Sequence, residues 1–180
     1  FVLKSITNQV QTKIRCFVET DFALYFGGTD GVYVFDDDSL QHISSTTGLN
    51  VNDICFDGSD IYIAGRTGLY SISQADQYNN LVKVIDNDES VNSLVCDDNH
   101  NLWIGTNNGL KVRLENGHIA PVLLDKADFK AKTIFGLLKS HKGHIWVTTM
   151  NGVYQIYPSQ NEGSKYGVNH YASAEGLINL

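Results

Sequence analysis

The stretch NLWIGTNNGL, residues 101–110, carries the clearest structural pattern in this 180-residue chain. In this stretch a β-rich run, Leu102 to Ile104, is followed by a short polar segment and then by a glycine, Gly109. This order predicts a strand, a tight turn and a second strand, because glycine readily adopts the positive φ of such turns. The same order occurs three more times, in ALYFGGTDGVYVF from Ala23, DIYIAGRTGLYSI from Asp60 and HIWVTTMNGVYQI from His144.

Two more strands flank each copy of this hairpin. The downstream strand is short and weak, and the upstream strand carries two apolar residues three positions apart. Those upstream pairs are Ile14 and Phe17, Val51 and Ile54, Val91 and Leu94, and Ile134 and Leu137. Four antiparallel strands in a repeat of about 40 residues indicate one blade of a β-propeller.

The sequence therefore predicts an all-β chain with no helix longer than two turns. We expect a β-propeller of four consecutive four-stranded blades, as a fragment of a larger propeller. The whole chain, 1–180, is then one propeller segment that also carries flanking strands of neighbouring blades. The predicted blades span approximately residues 13–50, 51–90, 91–131 and 132–174.

Composition excludes several classes of protein. The chain is 42% hydrophobic and 18% charged, which is typical of a folded globular protein and not of a disordered one. It has 13 basic and 20 acidic residues, a net charge of -7, so we expect no nucleic-acid partner. No apolar run approaches the roughly 18 residues of a membrane helix. The cysteines, Cys16, Cys55 and Cys96, match no metal-ligand spacing, and we interpret them as buried apolar residues.

The third repeat closely resembles the two-component regulator propeller repeat. It carries nearly the full pattern, in Val91, Leu94, Asp97, Leu102, Trp103, Gly105, Thr106, Gly109 and Leu110. The second repeat also fits, whereas the first and fourth are weaker: Thr20 and Ser140 replace the aspartate, and Thr148 replaces the first glycine. The resemblance extends over essentially the entire chain.

This resemblance implies a function. In that family, such repeats form the periplasmic sensor of hybrid two-component histidine kinases, where propellers bind oligosaccharides and report glycan availability. It implies a non-catalytic sensor domain in the periplasm, part of an inner-membrane protein, with an oligosaccharide ligand and no cofactor. From the blade count alone, three arrangements stay open: four blades that close on themselves, an open arc, or an arc whose uncovered edges pair with a second copy, as a homodimer, or with missing blades of the same protein. Two alternatives stay open: a propeller-type polysaccharide lyase or glycosidase, and an intracellular protein-interaction propeller.

The sequence predicts no catalytic residue and no metal site. The motifs HExxH, GxSxG, GxxxxGK[ST] and GxGxxG are absent. Asp30, Asp53 and Glu89 are carboxylates to weigh for glycoside cleavage, but the sequence does not place two of them about 5 to 9 Å apart. Asp57 and Asp97 recur at the end of the first strand of two repeats, which indicates that they accept hydrogen bonds from turn N–H groups.

Ligand-binding residues are expected where the loops from fourth to first and from second to third strands emerge around the central channel. One column lies two positions before the second apolar residue of each first strand and contains Arg15, Asn52, Asn92 and Phe135. The loop between second and third strands adds Arg66 and Asn107. Amides, a guanidinium group and an aromatic ring suit a hydroxyl-rich ligand, although turn formation is an alternative role for each residue. We expect alanine at Asn52 or Asn92 to weaken binding with little loss of thermal stability.

Overall fold

A computed structural model confirms that the chain is all β. It describes residues 12–36, 39–85, 88–122, 133–159 and 166–172. Within these ranges the strands are accompanied by two 3-10 turns, Ser44–Thr46 and Gln74–Asp76. The described residues include no helix that is long and apolar enough to span a bilayer.

The strands form four separate four-stranded antiparallel sheets, one for each blade. Blade 1 contains β1 (Ile14–Glu19), β2 (Leu24–Gly28), β3 (Gly31–Asp36) and β4 (Ser39–His42). Blade 2 contains β5 (Val51–Phe56), β6 (Asp60–Gly65), β7 (Gly68–Ser73) and β8 (Val82–Lys83). Blade 3 contains β9 (Val91–Cys96), β10 (Leu102–Thr106), β11 (Gly109–Arg113) and β12 (Ile119–Pro121). Blade 4 contains β13 (Ile134–Lys139), β14 (Ile145–Thr149), β15 (Gly152–Pro158) and β16 (Tyr166–Tyr171).

The first strands of consecutive blades lie side by side, β1 against β5, β5 against β9 and β9 against β13. Strand pairing follows chain order within each sheet, so the first strand is innermost and the fourth is outermost. The loops between second and third strands and between fourth and first strands emerge at one face of the arc, which we call the channel-mouth face. The loops between first and second and between third and fourth strands emerge at the opposite face.

Apolar clusters fill the spaces between neighbouring blades. Side chains alternate between the two faces of a strand, so each blade contributes residues to the cluster on either side of it. In blade 2, Ile54 and Ile63 pack against blade 1, while Tyr62 and Leu69 pack against blade 3. Trp103, which is 2% exposed, lies in the cluster between blades 3 and 4, in agreement with the propeller packing that its repeat position predicts.

The two ends of the arc are open. Ile54 and Leu94 face the preceding blade and are 4% and 5% exposed, whereas Phe17 at the same position of blade 1 is 70% exposed. The position that faces the following blade is 9% exposed at Cys55 but 65% exposed at Leu138 of blade 4. Two uncovered sheet faces agree with the predicted fragment of a larger propeller.

Glycine begins the third strand of every blade at a positive φ, as the repeat predicts. The φ values are 126° at Gly31, 144° at Gly68, 115° at Gly109 and 114° at Gly152. These values lie in a region that L side chains rarely adopt.

Gly109 and Gly152 offer a matched test of this turn. Alanine meets the same backbone strain at both positions, about 1 to 3 kcal/mol, but the surroundings differ. No heavy atom lies within 4 Å of an added Cβ at Gly109, whereas at Gly152 the Cβ would overlap the Tyr171 carbonyl oxygen. We expect G152A to lower the free energy of unfolding in urea by at least about 1 kcal/mol more than G109A. Equal losses would contradict this account of the turn.

Candidate functional site

A β-bulge interrupts the first strand of every blade at the same position. In blade 2, Val51 pairs with Gly65 and Asp53 pairs with Ala64, so that Asn52 is the extra residue. The register shifts in the same way around the other members of the first predicted column, which are Arg15, Asn92 and Phe135. A bulge redirects the side chain of its extra residue. The column is therefore a row of bulged residues on the innermost strands.

Three of the four bulged side chains donate hydrogen bonds to the next blade, and we call these bonds the latch bonds. Asn52 Nδ2 donates to the carbonyl oxygen of Val91 at 2.8 Å, and Asn92 Nδ2 donates to that of Ile134 at 2.8 Å. Arg15 Nη1 makes a longer bond, 3.4 Å, to the carbonyl oxygen of Val51. Each acceptor is the first residue of the next innermost strand. Phe135 occupies the equivalent position in blade 4, and its side chain has no donor.

A second set of bonds between blades runs one residue further along the same strands. Asp53 Oδ2 accepts from Ser93 Oγ at 2.9 Å and from the Leu94 N–H at 2.8 Å. Ser93 Oγ in turn accepts from the Leu137 N–H of blade 4 at 3.0 Å. Burial raises the pKa of the Asp53 carboxyl, and hydrogen bonds from Leu94, Ser93 and Ile54 lower it only in part. Asp53, one of the carboxylates considered for glycoside cleavage, is thus a partly buried acceptor between blades 2 and 3.

The structure brings four of the six predicted ligand-binding residues together in two pairs. Arg15 lies 3.4 Å from Asn52 Oδ1, and Asn92 Nδ2 donates to Asn107 Oδ1 at 2.8 Å. Arg66 and Phe135 are exposed and make no hydrogen bond to the other four. The six residues lie on the channel-mouth face, and their contact with a ligand stays a prediction.

Hydrogen bonding limits what two of these residues offer a ligand. Both N–H groups of Asn92 are used, one by Asn107 and one by Ile134, and its oxygen accepts from Ser90 Oγ at 3.1 Å. Asn52 keeps one N–H after its bond to Val91. The expectation that alanine at these asparagines leaves stability almost unchanged does not fit these contacts.

On the opposite face, two aspartates organise the turns after the first strands, as the sequence predicts. Asp57 Oδ1 accepts from the N–H groups of Ser59 and Asp60, both at 2.9 Å. Asp97 Oδ1 accepts from the N–H groups of Asn99 and Asn101 at 2.9 Å, and the indole of Trp103 donates to Oδ2 at 3.0 Å. Burial alone would raise the pKa of both carboxyls, but these hydrogen bonds outweigh it and lower the pKa in each case.

A cleft of about 560 Å³ opens on the same face between blades 3 and 4, and we call it the 3–4 cleft. The lining residues are Asp97, Asp98, Asn99, Asn101, Trp103, Lys142, Gly143, Ile145, Ile156, Tyr157, Pro158 and Tyr166. The Trp103 and Tyr166 rings meet edge to face, with centroids 5.1 Å apart. The sequence did not predict this cleft, although one signal was present: Tyr157 and Tyr166 put aromatic residues on both sides of the loop between the third and fourth strands of the fourth repeat.

A smaller cleft of about 370 Å³ lies between blades 2 and 3, again on the face opposite the channel mouth. Half of its lining residues are charged, with Asp57, Asp60 and Glu115 around Arg113. The Arg113 guanidinium lies 5.2 Å from the centroid of the Tyr62 ring, a cation–π arrangement. No group of three or more metal-ligating side chains occurs among the residues that the structure describes.

Comparison with known proteins confirms the nature of the repeats. The family model of the two-component regulator propeller matches residues 86–108, which lead into and include most of the third hairpin. The resemblance to two-component regulator propeller repeats is therefore confirmed, and the match lies in the third repeat, which carries the fullest pattern. No curated protein matches the chain in sequence.

Solved structures show the same fold. The extracellular domain of the hybrid two-component system BT3049 from B. thetaiotaomicron has a TM-score of 0.69 at 22% identity, over 92% of this chain and 24% of that one. The corresponding domain of BT4673 from the same organism gives 0.70 at 18%, over 87% and 21%. Streptogramin B lyase gives 0.66 at 13%, over 90% and 56%. This chain thus spans about a quarter or less of the two-component structures, and the matches show the propeller fold.

The latch bonds predict a stability effect at Asn92. Its replacement by alanine leaves the Ile134 carbonyl without this donor, and we expect N92A to lower the free energy of unfolding by about 1 to 3 kcal/mol. Asn99 is the matched control, because it is exposed and its side chain makes no hydrogen bond to the described residues. N99A should change stability by less than about 0.5 kcal/mol. A loss in N92A no larger than in N99A, measured by urea denaturation, would refute the latch at this position.

Proposed function

We propose that this chain is part of the extracytoplasmic sensor of a hybrid two-component histidine kinase and that it is non-catalytic. The repeat match at residues 86–108 supports the two-component class. Two structures of the same fold are described as extracellular domains of hybrid two-component systems, which supports a location outside the cytoplasm, in the periplasm. The signal that such a sensor passes to its kinase is the presence of a ligand, and we propose an oligosaccharide.

The 3–4 cleft carries the ligand part of this proposal. Its volume of about 560 Å³ lies within the range of roughly 300 to 1,000 Å³ that small-molecule sites occupy. Tyr157 and Tyr166 are partly exposed and offer apolar surface to a sugar ring. Asp98, Asn99 and Lys142 surround them with the acceptors and donors that sugar hydroxyls need.

The channel-mouth face is the second candidate surface for the oligosaccharide. Arg66 and Asn107 are exposed there, and Arg15 keeps N–H groups beyond those it uses toward Asn50, Val51 and Asn52. This face has less to offer than the 3–4 cleft, because the amide groups of Asn92 already serve the blades.

The contacts of two carboxylates support a non-catalytic role over a lyase or glycosidase. Asp53 is held between blades by Ser93 and Leu94. Glu89 forms an ion pair with Lys111 and accepts a hydrogen bond from Thr106 Oγ1 at 2.7 Å. A carboxylate fixed in this way is a poor general acid, because its proton would have to displace an existing partner.

Calorimetric titration of the purified chain with a panel of oligosaccharides tests this function. We expect at least one oligosaccharide to bind, and the double variant N99A–K142A to weaken that binding at least tenfold with unchanged stability. The matched variant R66A–N107A, on the channel-mouth face, should bind normally.

Each other outcome is decisive. If only R66A–N107A loses affinity, the site lies at the channel mouth and the 3–4 cleft is wrong. If no oligosaccharide binds, the proposed ligand class is wrong for this chain. New reducing ends or unsaturated products after incubation would contradict a non-catalytic domain.

We further propose that additional blades of the same protein cover the open ends of the arc. Phe17 and Leu138 are the exposed apolar centres of these two faces, and the chain corresponds to only 21% to 24% of the two-component structures it matches. Light scattering should then show the isolated chain without a stable two-fold dimer. A stable dimer that F17D–L138D dissociates would instead identify a second copy as the occupant.

A further inference from the structure

Two cysteines face each other across the boundary between blades 2 and 3. Cys55 belongs to β5 and Cys96 is the last residue of β9, the neighbouring innermost strand. Their Sγ atoms lie 2.8 Å apart, and both are free thiols in the structure. This separation exceeds a covalent S–S bond, about 2.05 Å, by only about 0.8 Å.

The surroundings hold the two thiols in place. They belong to the apolar cluster between blades 2 and 3, with Tyr62, Leu94 and Leu102 as neighbours. Cys55 is 9% exposed, and Cys96 is partly buried. The third cysteine, Cys16, packs with a different cluster, between blades 1 and 2, and its Sγ points to the Gly27 carbonyl.

We propose that Cys55 and Cys96 form a disulfide that joins blades 2 and 3 when the chain folds in an oxidising compartment. The two thiols lose two protons and two electrons as the S–S bond forms. A disulfide oxidant, either a protein disulfide or oxidised glutathione, accepts them and becomes two thiols. This step goes beyond ligand sensing and draws from the proposed function only its location outside the cytoplasm, where disulfides persist.

The timing of the reaction follows from the state of the thiols. The hydrogen bond between the two sulfurs and burial both raise the pKa of the Cys96 thiol. Thiolate is the reactive form, so the folded, reduced protein should oxidise slowly. Oxidation is faster while blades 2 and 3 are still docking and the thiols are open to solvent.

The disulfide closes a long loop and so constrains the unfolded chain. It links the innermost strands of two blades that otherwise meet through side chains and the Asp53 and Asn52 hydrogen bonds. By the loop-closure relation, a chain segment of this length, 55–96, should raise Tm by roughly 5 to 15 °C on oxidation.

Refolding the purified chain in a glutathione redox buffer tests the proposal. When the protein is denatured in the presence of an alkylating agent, its mass should show one alkylated cysteine in the oxidised protein, Cys16, and three when dithiothreitol is added before the alkylating agent. Peptide mapping should recover Cys55 joined to Cys96, with a mass lower by two hydrogen atoms. Three free thiols after oxidative refolding, or a disulfide that includes Cys16, would overturn the proposal.

Variants separate the covalent link from general effects of oxidation. C16S should keep both the disulfide and the rise in Tm, because Cys16 has no sulfur neighbour among the described residues. C55S–C96S should show the same Tm in oxidising and reducing buffer. A Tm of the unsubstituted chain that does not depend on the redox buffer would also contradict the link.

Discussion

Hydrogen bonds between the innermost strands of neighbouring blades are the interaction on which this arrangement depends. Backbone hydrogen bonds hold the strands of each sheet together but end at its edge strands. They therefore do not determine how one blade is placed against the next. The apolar clusters between blades supply most of the burial, but apolar contact has no preferred direction. Directional hydrogen bonds fix the position of each innermost strand relative to the next one. Asn52 and Asn92 donate to the following strand. The Leu94 and Leu137 N–H groups donate to side chains of the preceding blade.

Hydrogen bonding between blades explains why the two faces of the arc differ in the side chains that they leave free for a ligand. The bulge that frees Asn52 and Asn92 from their own ladders directs them to the next blade, so residues near the channel mouth are partly committed to the scaffold. On the opposite face, Asp57 and Asp97 fix the turns by hydrogen bonds to backbone N–H groups. The other side chains of these turns can therefore vary without changing how the blades are placed against each other. A ligand in the 3–4 cleft would touch both blades and could favour one arrangement of them, which is the form that a sensing event would take in the proposed function.

The repeat alone predicted the four-stranded blades, the positive-φ glycines such as Gly109 and the turn role of Asp57. These features depend on the local backbone preferences of particular residue types, which can be read from the sequence. The sequence also carried a signal for the bulges, in apolar residues three positions apart such as Val51 and Ile54. Two such residues lie on the same side of a strand only if one extra residue intervenes between them. Ile134, which accepts from Asn92, lies 42 residues away from it along the chain. Cys96 lies 41 residues away from Cys55. Only the packing of neighbouring blades brings these residues together.

Native-state hydrogen exchange of two backbone amides measures whether hydrogen bonds between blades hold the innermost strands together. The Leu94 and Leu137 N–H groups bond to Asp53 and Ser93 of the preceding blade. Their protection therefore depends on contact between blades. We expect both amides to exchange as slowly as the ladder amides of β6 and β10, through global unfolding alone. Exchange of both at the rate of unprotected amides, while β6 and β10 stay protected, would contradict this expectation.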